Sequence, residues 1–141
     1  MAGFRFLEHT SDVYIEARGN SLEEAFVQAS YALFETMTDL KSIEPKEKRQ
    51  IKLEAEDLNS LLFEWINEFL YFFDTKLLIF SKFEIQIERR DDKYIIIGKC
   101  WGEEYNPEKH PPRTEIKAPT YSLMEIIQEP SEVILRFVVD I

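Results

Sequence analysis

One cysteine, four glycines and two histidines are all that this 141-residue chain holds of residues that often carry chemistry or let backbone wrap a phosphate. Cys100 alone cannot form an intramolecular disulfide, which points to a reducing compartment. It lies in the apolar run Ile95 to Trp101 and reads as a buried, inert thiol. There is no glycine-rich phosphate loop, no Gly-x-Ser-x-Gly elbow, no histidine pair at helical spacing and no Cys-x-x-Cys. Nucleotide chemistry on this chain alone is thereby disfavoured. Positive charge is scarce too: 17 Lys and Arg stand against 27 Asp and Glu, a formal net charge of -10. Such a field repels a nucleic-acid backbone, so direct binding of RNA or DNA is not expected. It suits cations, a basic protein partner, or solubility alone. No basic segment followed by a long apolar one opens the chain, and no apolar stretch is long enough to span a bilayer. The expected location is the cytoplasm, with no membrane association.

What is present suits a single domain over residues 1–141, with a core rich in its 11 Phe, 6 Tyr and 2 Trp. Val13, Ile15 and Ala17 alternate with polar residues as a strand. Ser21-Leu22-Glu23-Glu24 forms a capping box in which Glu24 reaches back to the Ser21 amide, and the following apolar stripe predicts a helix to about Thr38. Ile51 to Ala55 reads as a strand, and Asp57 caps a second helix carrying Leu61, Leu62, Trp65, Ile66, Phe69 and Leu70 to about Asp74. That helix is either laid across a sheet or has an outer face that meets a partner. Leu77 to Phe80 and Phe83 to Ile87 read as two short strands, and Arg90 to Lys93 as a hairpin turn into Tyr94 to Trp101. Three prolines make Tyr105 to Arg113 a loop, which holds His110. Thr114 to Ala118, Tyr121 to Ile127 and Val133 to Val139 are strand-like. The pattern predicts an α+β fold, two helices on one face of a mostly antiparallel sheet in a two-layer domain.

Two places concentrate polar chemistry. The turn Glu8-His9-Thr10-Ser11-Asp12 stands at the mouth of the first alternating strand; its residues are ordinary turn formers or a site aimed by a sheet. The chain also ends Asp140-Ile141, so a side-chain carboxylate and the terminal carboxylate crowd the end of a hydrophobic strand. If that end lies beside the turn, Asp12, Asp140 and the Ile141 carboxylate repel one another unless a divalent cation sits between them. Oxygen donors suit a hard ion and argue against zinc. Asp39, acidic at a helix C-terminus where the dipole is unfavourable, and His9 are candidate neighbours.

Phe6-Leu7-Glu8-His9-Thr10-Ser11-Asp12-Val13, Met37-Thr38-Asp39, Leu61 to Tyr71, Trp101-Gly102-Glu103, His110, Glu115 to Tyr121 and the closing Asp140-Ile141 together resemble the archease family along the whole chain. Ser11 and Pro119 depart from its usual alanine and small aliphatic residue. The resemblance implies a non-enzymatic protein cofactor of the RtcB-type tRNA-splicing RNA ligase, one that promotes ligase guanylylation and repeated turnover and broadens its use of nucleoside triphosphates. It also implies a metal site at Asp12, Asp140 and Ile141, holding calcium or alternatively magnesium or manganese, and no catalytic residues. Two other readings stand beside it: a metal-dependent hydrolase using Asp12, Asp140 and His9, and a chaperone-like modulator of RNA-modifying enzymes.

Overall fold

The computed structural model describes residues 2–9 and 11–141. Met1 and Thr10 lie outside the described residues, so the turn-forming role read for Thr10 is not addressed. Helix α1, Leu22–Met37, begins at the predicted box: the Ser21 hydroxyl accepts from the Glu24 amide at 3.1 Å. The Glu24 carboxylate reaches back one residue further than expected, to the amide of Asn20 at 3.1 Å. Helix α2, Leu58–Lys76, is capped by Asp57, which accepts from the Ser60 amide at 2.7 Å. It closes at Leu77, whose left-handed backbone turns the amide onto the Phe73 carbonyl at 2.9 Å. No helix among the described residues is long and apolar enough to cross a membrane.

The α+β class, both helices and the antiparallel pairing stand as read, but the strands fall into two sheets where one was expected. The first contains β1 (Gly3–Leu7), β2 (Val13–Gly19) and β8 (Val133–Asp140) in that order. The short strands β6 (Ala118–Pro119) and β7 (Glu125–Gln128) both pair with β8. The second sheet runs β3 (Glu47–Ala55), β5 (Lys93–Glu104), β4 (Leu78–Arg90). Alternation marks which face of a strand is buried but not which strand lies next to it, so the split was invisible in the pattern. The two short strands read between Leu77 and Ile87 are one long β4 with an irregularity between Phe80 and Lys82. Of the strand-like stretches Thr114 to Ala118 and Tyr121 to Ile127, only the parts within Ala118–Pro119 and Glu125–Gln128 pair, both with β8. Pro119 fits because β6 is a short strand at the sheet's edge, where a missing donor costs little.

Each helix touches both sheets. Helix α1 packs on β1, β2 and β8 and also on β4, and α2 packs on β3 to β5 and also on β6 and β7. This explains why α1 buries residues around much of its circumference, from Ala25 and Phe26 to Thr36 and Met37. Phe34, Phe69, Phe80 and Phe83 pack edge-on and stacked in the common core. Beside them Trp65 is fully buried, and its indole N–H donates to the Ser30 hydroxyl at 2.9 Å, which itself donates to the Phe26 carbonyl at 2.8 Å. The α2 face carrying Phe63 is covered by Tyr121, stacked with centroids 4.3 Å apart, whereas Tyr71 is exposed.

Gly98 on β5 leaves the space that the Trp65 ring fills, and a Cβ there would overlap Cη2 of the indole. Gly98→Ala should therefore cost about 1–3 kcal/mol through overpacking. Denaturant unfolding checks this. Combining it with Trp65→Phe should cost less than the sum of the two single changes, whereas strict additivity would show that the glycine is not there for the tryptophan.

Candidate functional site

The last registered pair of the β2–β8 ladder is Val13 with Val139, so the next step outward places Asp12 beside Asp140 at one end of the first sheet. On the other side of β8, Ala118 pairs with Asp140, and the Lys117 amide donates to the Asp140 carbonyl at 2.8 Å. Ile141 follows directly, partly exposed. The sheet thus brings two of the sequence-predicted residues into register, with the chain terminus next to them.

Asp12 has His9 as neighbour, with 3.7 Å between His9 Nδ1 and Asp12 Oδ2, and the imidazole meets Tyr14 edge-on with centroids 6.1 Å apart. An open cavity of about 340 Å³ is lined by Asp12 and Tyr14 on one side and Glu35, Thr36, Arg113 and Thr114 on the other. Asp39 is not one of its walls. Its carboxylate caps the single 3-10 turn Leu40–Ser42 by accepting from the Lys41 amide at 3.1 Å, and its carbonyl accepts from the Ser42 hydroxyl at 2.6 Å. That capping explains an acidic residue after a helix end without any ligand.

Among the described residues no three His, Cys, Asp or Glu side chains converge on a metal position. A cation here would draw on Asp12 and Asp140 together with main-chain or terminal oxygens, a donor set that suits a hard ion. Neither Asp140 nor the terminal carboxylate has a Lys, Arg or His partner among the described residues, and Asp12 has only His9. Among the described residues one buried side-chain polar atom lacks a hydrogen-bond partner: Oγ1 of Thr38, at the C-terminal end of the helix whose Thr36 lines the cavity. Cys100 is fully buried, and burial pushes its thiol up to about 12, as expected of an inert sulfur.

The far wall of the cavity is fixed by the proline-rich loop through contacts that the sequence did not connect. His110 is fully buried rather than an exposed loop residue. Its Nδ1 accepts from the Asn106 amide at 2.9 Å and so carries no proton. Nε2 is then the protonated nitrogen, donating to Glu103 at 2.8 Å. Glu103 also accepts from the Glu44 amide at 2.8 Å and from Lys109 Nζ at 2.9 Å. Burial raises the Glu103 carboxyl, but the Glu44 amide, Lys109 and His110 outweigh it and bring it to about 2. Beyond this anchor, the Arg113 and Thr114 amides donate to the Met37 and Thr36 carbonyls, both at 3.1 Å, satisfying the end of α1 that no further turn could reach. Glu44 and Glu103 are 59 residues apart, so nothing local in the sequence pairs them.

A second buried carboxylate holds the sheet itself. Glu16 is 1% exposed and is flanked in register by Arg5 on β1 and Arg136 on β8. It accepts from Arg5 Nε at 2.7 Å, Arg136 Nε at 2.8 Å and Arg18 Nε at 3.0 Å. The Arg5 hydrogen bond, with those from Arg136 and Arg18, overrides burial and lowers the Glu16 carboxyl to about 2. Its folded-state value is depressed, so its contribution is complete above the ordinary value of 4.5 and is lost as pH falls from there through about 2. Glu16→Gln should cost about 2–3 kcal/mol at pH 7, because three guanidiniums then face a neutral amide with one acceptor oxygen where they had a carboxylate. The gap to wild type should close in denaturant melts taken towards pH 2, and a pH-independent gap would show that packing rather than charge is lost.

The chain matches the Archease protein family over residues 4–141. Among curated relatives it is 45% identical to Protein archease of Sulfurisphaera tokodaii and 47% identical to that of Sulfolobus acidocaldarius, in both cases over all of each chain. It is 43% identical to Protein archease of Pyrococcus furiosus over 92% of each chain. Among solved structures, the solution structure of Methanobacterium Thermoautotrophicum Protein 1598 superposes with a TM-score of 0.87 at 40% identity, covering all of both chains. With a match that runs from residue 4 to the last residue and relatives of the same length, the chain belongs to the archease family.

Proposed function

We propose that this protein is a metal-binding, non-enzymatic activator of an RtcB-type tRNA-splicing RNA ligase in the cytoplasm, promoting ligase guanylylation and multiple turnover and broadening its use of nucleoside triphosphates. The observation that carries the reading is the archease match over residues 4–141, which supports a protein-cofactor role. The register that sets Asp12 beside Asp140 adds a place for the cation. Asp12, Asp140 and Ile141 would hold it, and calcium, magnesium and manganese all suit the oxygen donors. A bound divalent ion there supplies positive charge that offsets the carboxylates and polarises an oxygen ligand.

The chain's own part is orientation. Asp12 and Asp140 sit on the ends of two hydrogen-bonded strands, which fixes their backbones relative to each other. His9 stands beside Asp12, 3.7 Å away, and the Glu103–His110 anchor sets the opposite wall. Nucleotide attachment to a ligase depends on aligning a triphosphate with a nucleophile, a step sensitive to small misplacement. A partner presenting ordered carboxylates and a cation supports that alignment. The His9–Asp12 contact is what favours the second reading, a metal-dependent hydrolase, and turnover of phosphate esters by the isolated protein separates the two.

Two measurements test the proposal. In calorimetric titrations with Ca²⁺, Mg²⁺ and Mn²⁺, Asp12→Ala and removal of Ile141 should each weaken binding at least tenfold; unchanged affinity in both removes the site. In ligation assays with an RtcB-type ligase, GTP and excess RNA, wild type should convert limited ligation into repeated turnover and speed formation of the ligase–nucleotide adduct. Asp12→Ala should lose most of that stimulation. Changes in the exposed Asp91–Asp92 turn should not. Absence of stimulation by wild type would refute activation, and full stimulation by Asp12→Ala would separate it from the metal site.

A further inference from the structure

The outward face of the second sheet has a charge opposite to that of the molecule. Along β5, Ile96, Gly98 and Cys100 belong to the side packed on the helices, with Gly98 against Trp65. Ile97, Lys99 and Trp101 therefore point the other way. The register on both sides of β5 gives three successive rows across this face: Lys48–Trp101–Lys82, Gln50–Lys99–Glu84 and Lys52–Ile97–Gln86. Four lysines face one glutamate there, on a chain whose net charge is -10. All four lysines are exposed. Lys82 and Lys48 lie over the Trp101 ring, 4.6 and 5.8 Å from its centroid, and the ring is only partly covered. Beyond Glu84, two further acidic residues of this face, Glu54 and Glu88, lie in the next row, on either side of Ile95.

We propose that this sheet face binds single-stranded nucleic acid, with a base stacked on Trp101 and phosphates held by Lys48, Lys52, Lys82 and Lys99. An aromatic ring on an open sheet flanked by cations is the arrangement that single strands use, because every base has a face to stack and every nucleotide a charge to neutralise. The cation–π contacts of exposed lysines are weak, so the ammonium groups can move from the ring to phosphates as a base takes their place. Net charge does not forbid this. Screening cuts the reach of distant acidic residues to about 8 Å at physiological ionic strength, and at lower salt the lysines of this face still stand nearest the phosphates, so the local rows decide. A flat acidic polypeptide would satisfy the lysines equally well but leaves the indole without a role.

The experiment titrates the isolated protein with a ten-nucleotide oligouridylate at about 20 mM salt and follows tryptophan fluorescence. No ligase is present, so the outcome is independent of the activation assay. Trp65 is fully buried, so quenching by stacking reports on Trp101. Wild type should quench saturably, and the slope of log affinity against log salt should be about -2 to -3, as four lysines imply for a single strand. Lys48→Glu with Lys82→Glu should weaken binding at least tenfold, while Lys41→Glu with Lys76→Glu, off this face, should change it less than threefold. Trp101→Leu, followed by anisotropy of a labelled oligonucleotide, should weaken it several-fold. The lysine variants lie at exposed positions and keep the test valid should Trp101→Leu fail to fold. No quenching at low salt, binding unaffected by the Lys48 and Lys82 changes, or equal affinity for polyglutamate of the same charge would each overturn the proposal.

Discussion

The pairing of β2 with β8 is the constraint on which the rest of the molecule depends. It joins residues as far apart as Glu16 and Arg136, 120 positions along the chain, and so closes almost the whole sequence into one loop. Closure over that length is costly in entropy, though the cost grows only slowly with length. Three guanidiniums around the buried Glu16 hold β1, β2 and β8 together on the outward side, and Ile15, Ala17, Leu135 and Phe137 hold them on the inward side against α1. The ladder's end is also where Asp12 meets Asp140. The same contact that makes the fold therefore makes the candidate site, and neither could form in half of the chain.

Local structure was readable because its causes are local. Ser21 and Asp57 start the helices as their side chains predict, and the Arg90 to Lys93 turn lies between β4 and β5, with Asp91 at positive φ. What pairs with what was not readable. Alternation in Val13–Ala17 and in Phe83–Ile87 looks the same, yet the first belongs to one sheet and the second to the other. The polar groups show the same divide. Asp12 and His9 stood out in a short polar turn and Asp140 as a carboxylate closing a hydrophobic strand, and the fold places Asp12 near both. Asp39 looked equally suggestive and is a turn cap. Glu16 and Arg136 gave no signal, and Glu103 none beyond its place in the Trp101-Gly102-Glu103 block, since a charge inside an alternating strand looks solvent-facing until its partners on other strands are known. For His110 the proline-rich loop left open both exposure and a place beside a site; the loop is tied down over the end of α1, which buries the imidazole.

Charge teaches a similar lesson at a larger scale. A net charge of -10 is an average over surfaces that differ in sign. Carboxylates gather without cationic partners at the end of the first sheet, and lysines gather around Trp101 on the outward face of the second. Opposite fields on separate sheets orient a molecule as it approaches a charged partner, which composition alone cannot express.

The openness of the Asp12 end bears on the kind of chemistry it suits. Catalysis by carboxylates and a cation gains most where water is excluded and the surroundings are of low polarity. Here Asp12 and His9 are each 28% exposed in their side chains, the terminus is exposed, and the wall opposite is an Arg113–Glu35 ion pair rather than an apolar lid. The buried polar networks of the molecule, around Glu16 and Glu103, are given over to holding strands and the loop. Rigid support lies behind the carboxylates, and among the described residues Asp12 and the terminus stay open to solvent in part. Under the activator reading proposed above, carboxylates placed in this way would gain electrostatic strength when a partner's surface closes over them and removes the solvent. This is why the activator reading suits the geometry better than the hydrolase reading, although both use the same residues.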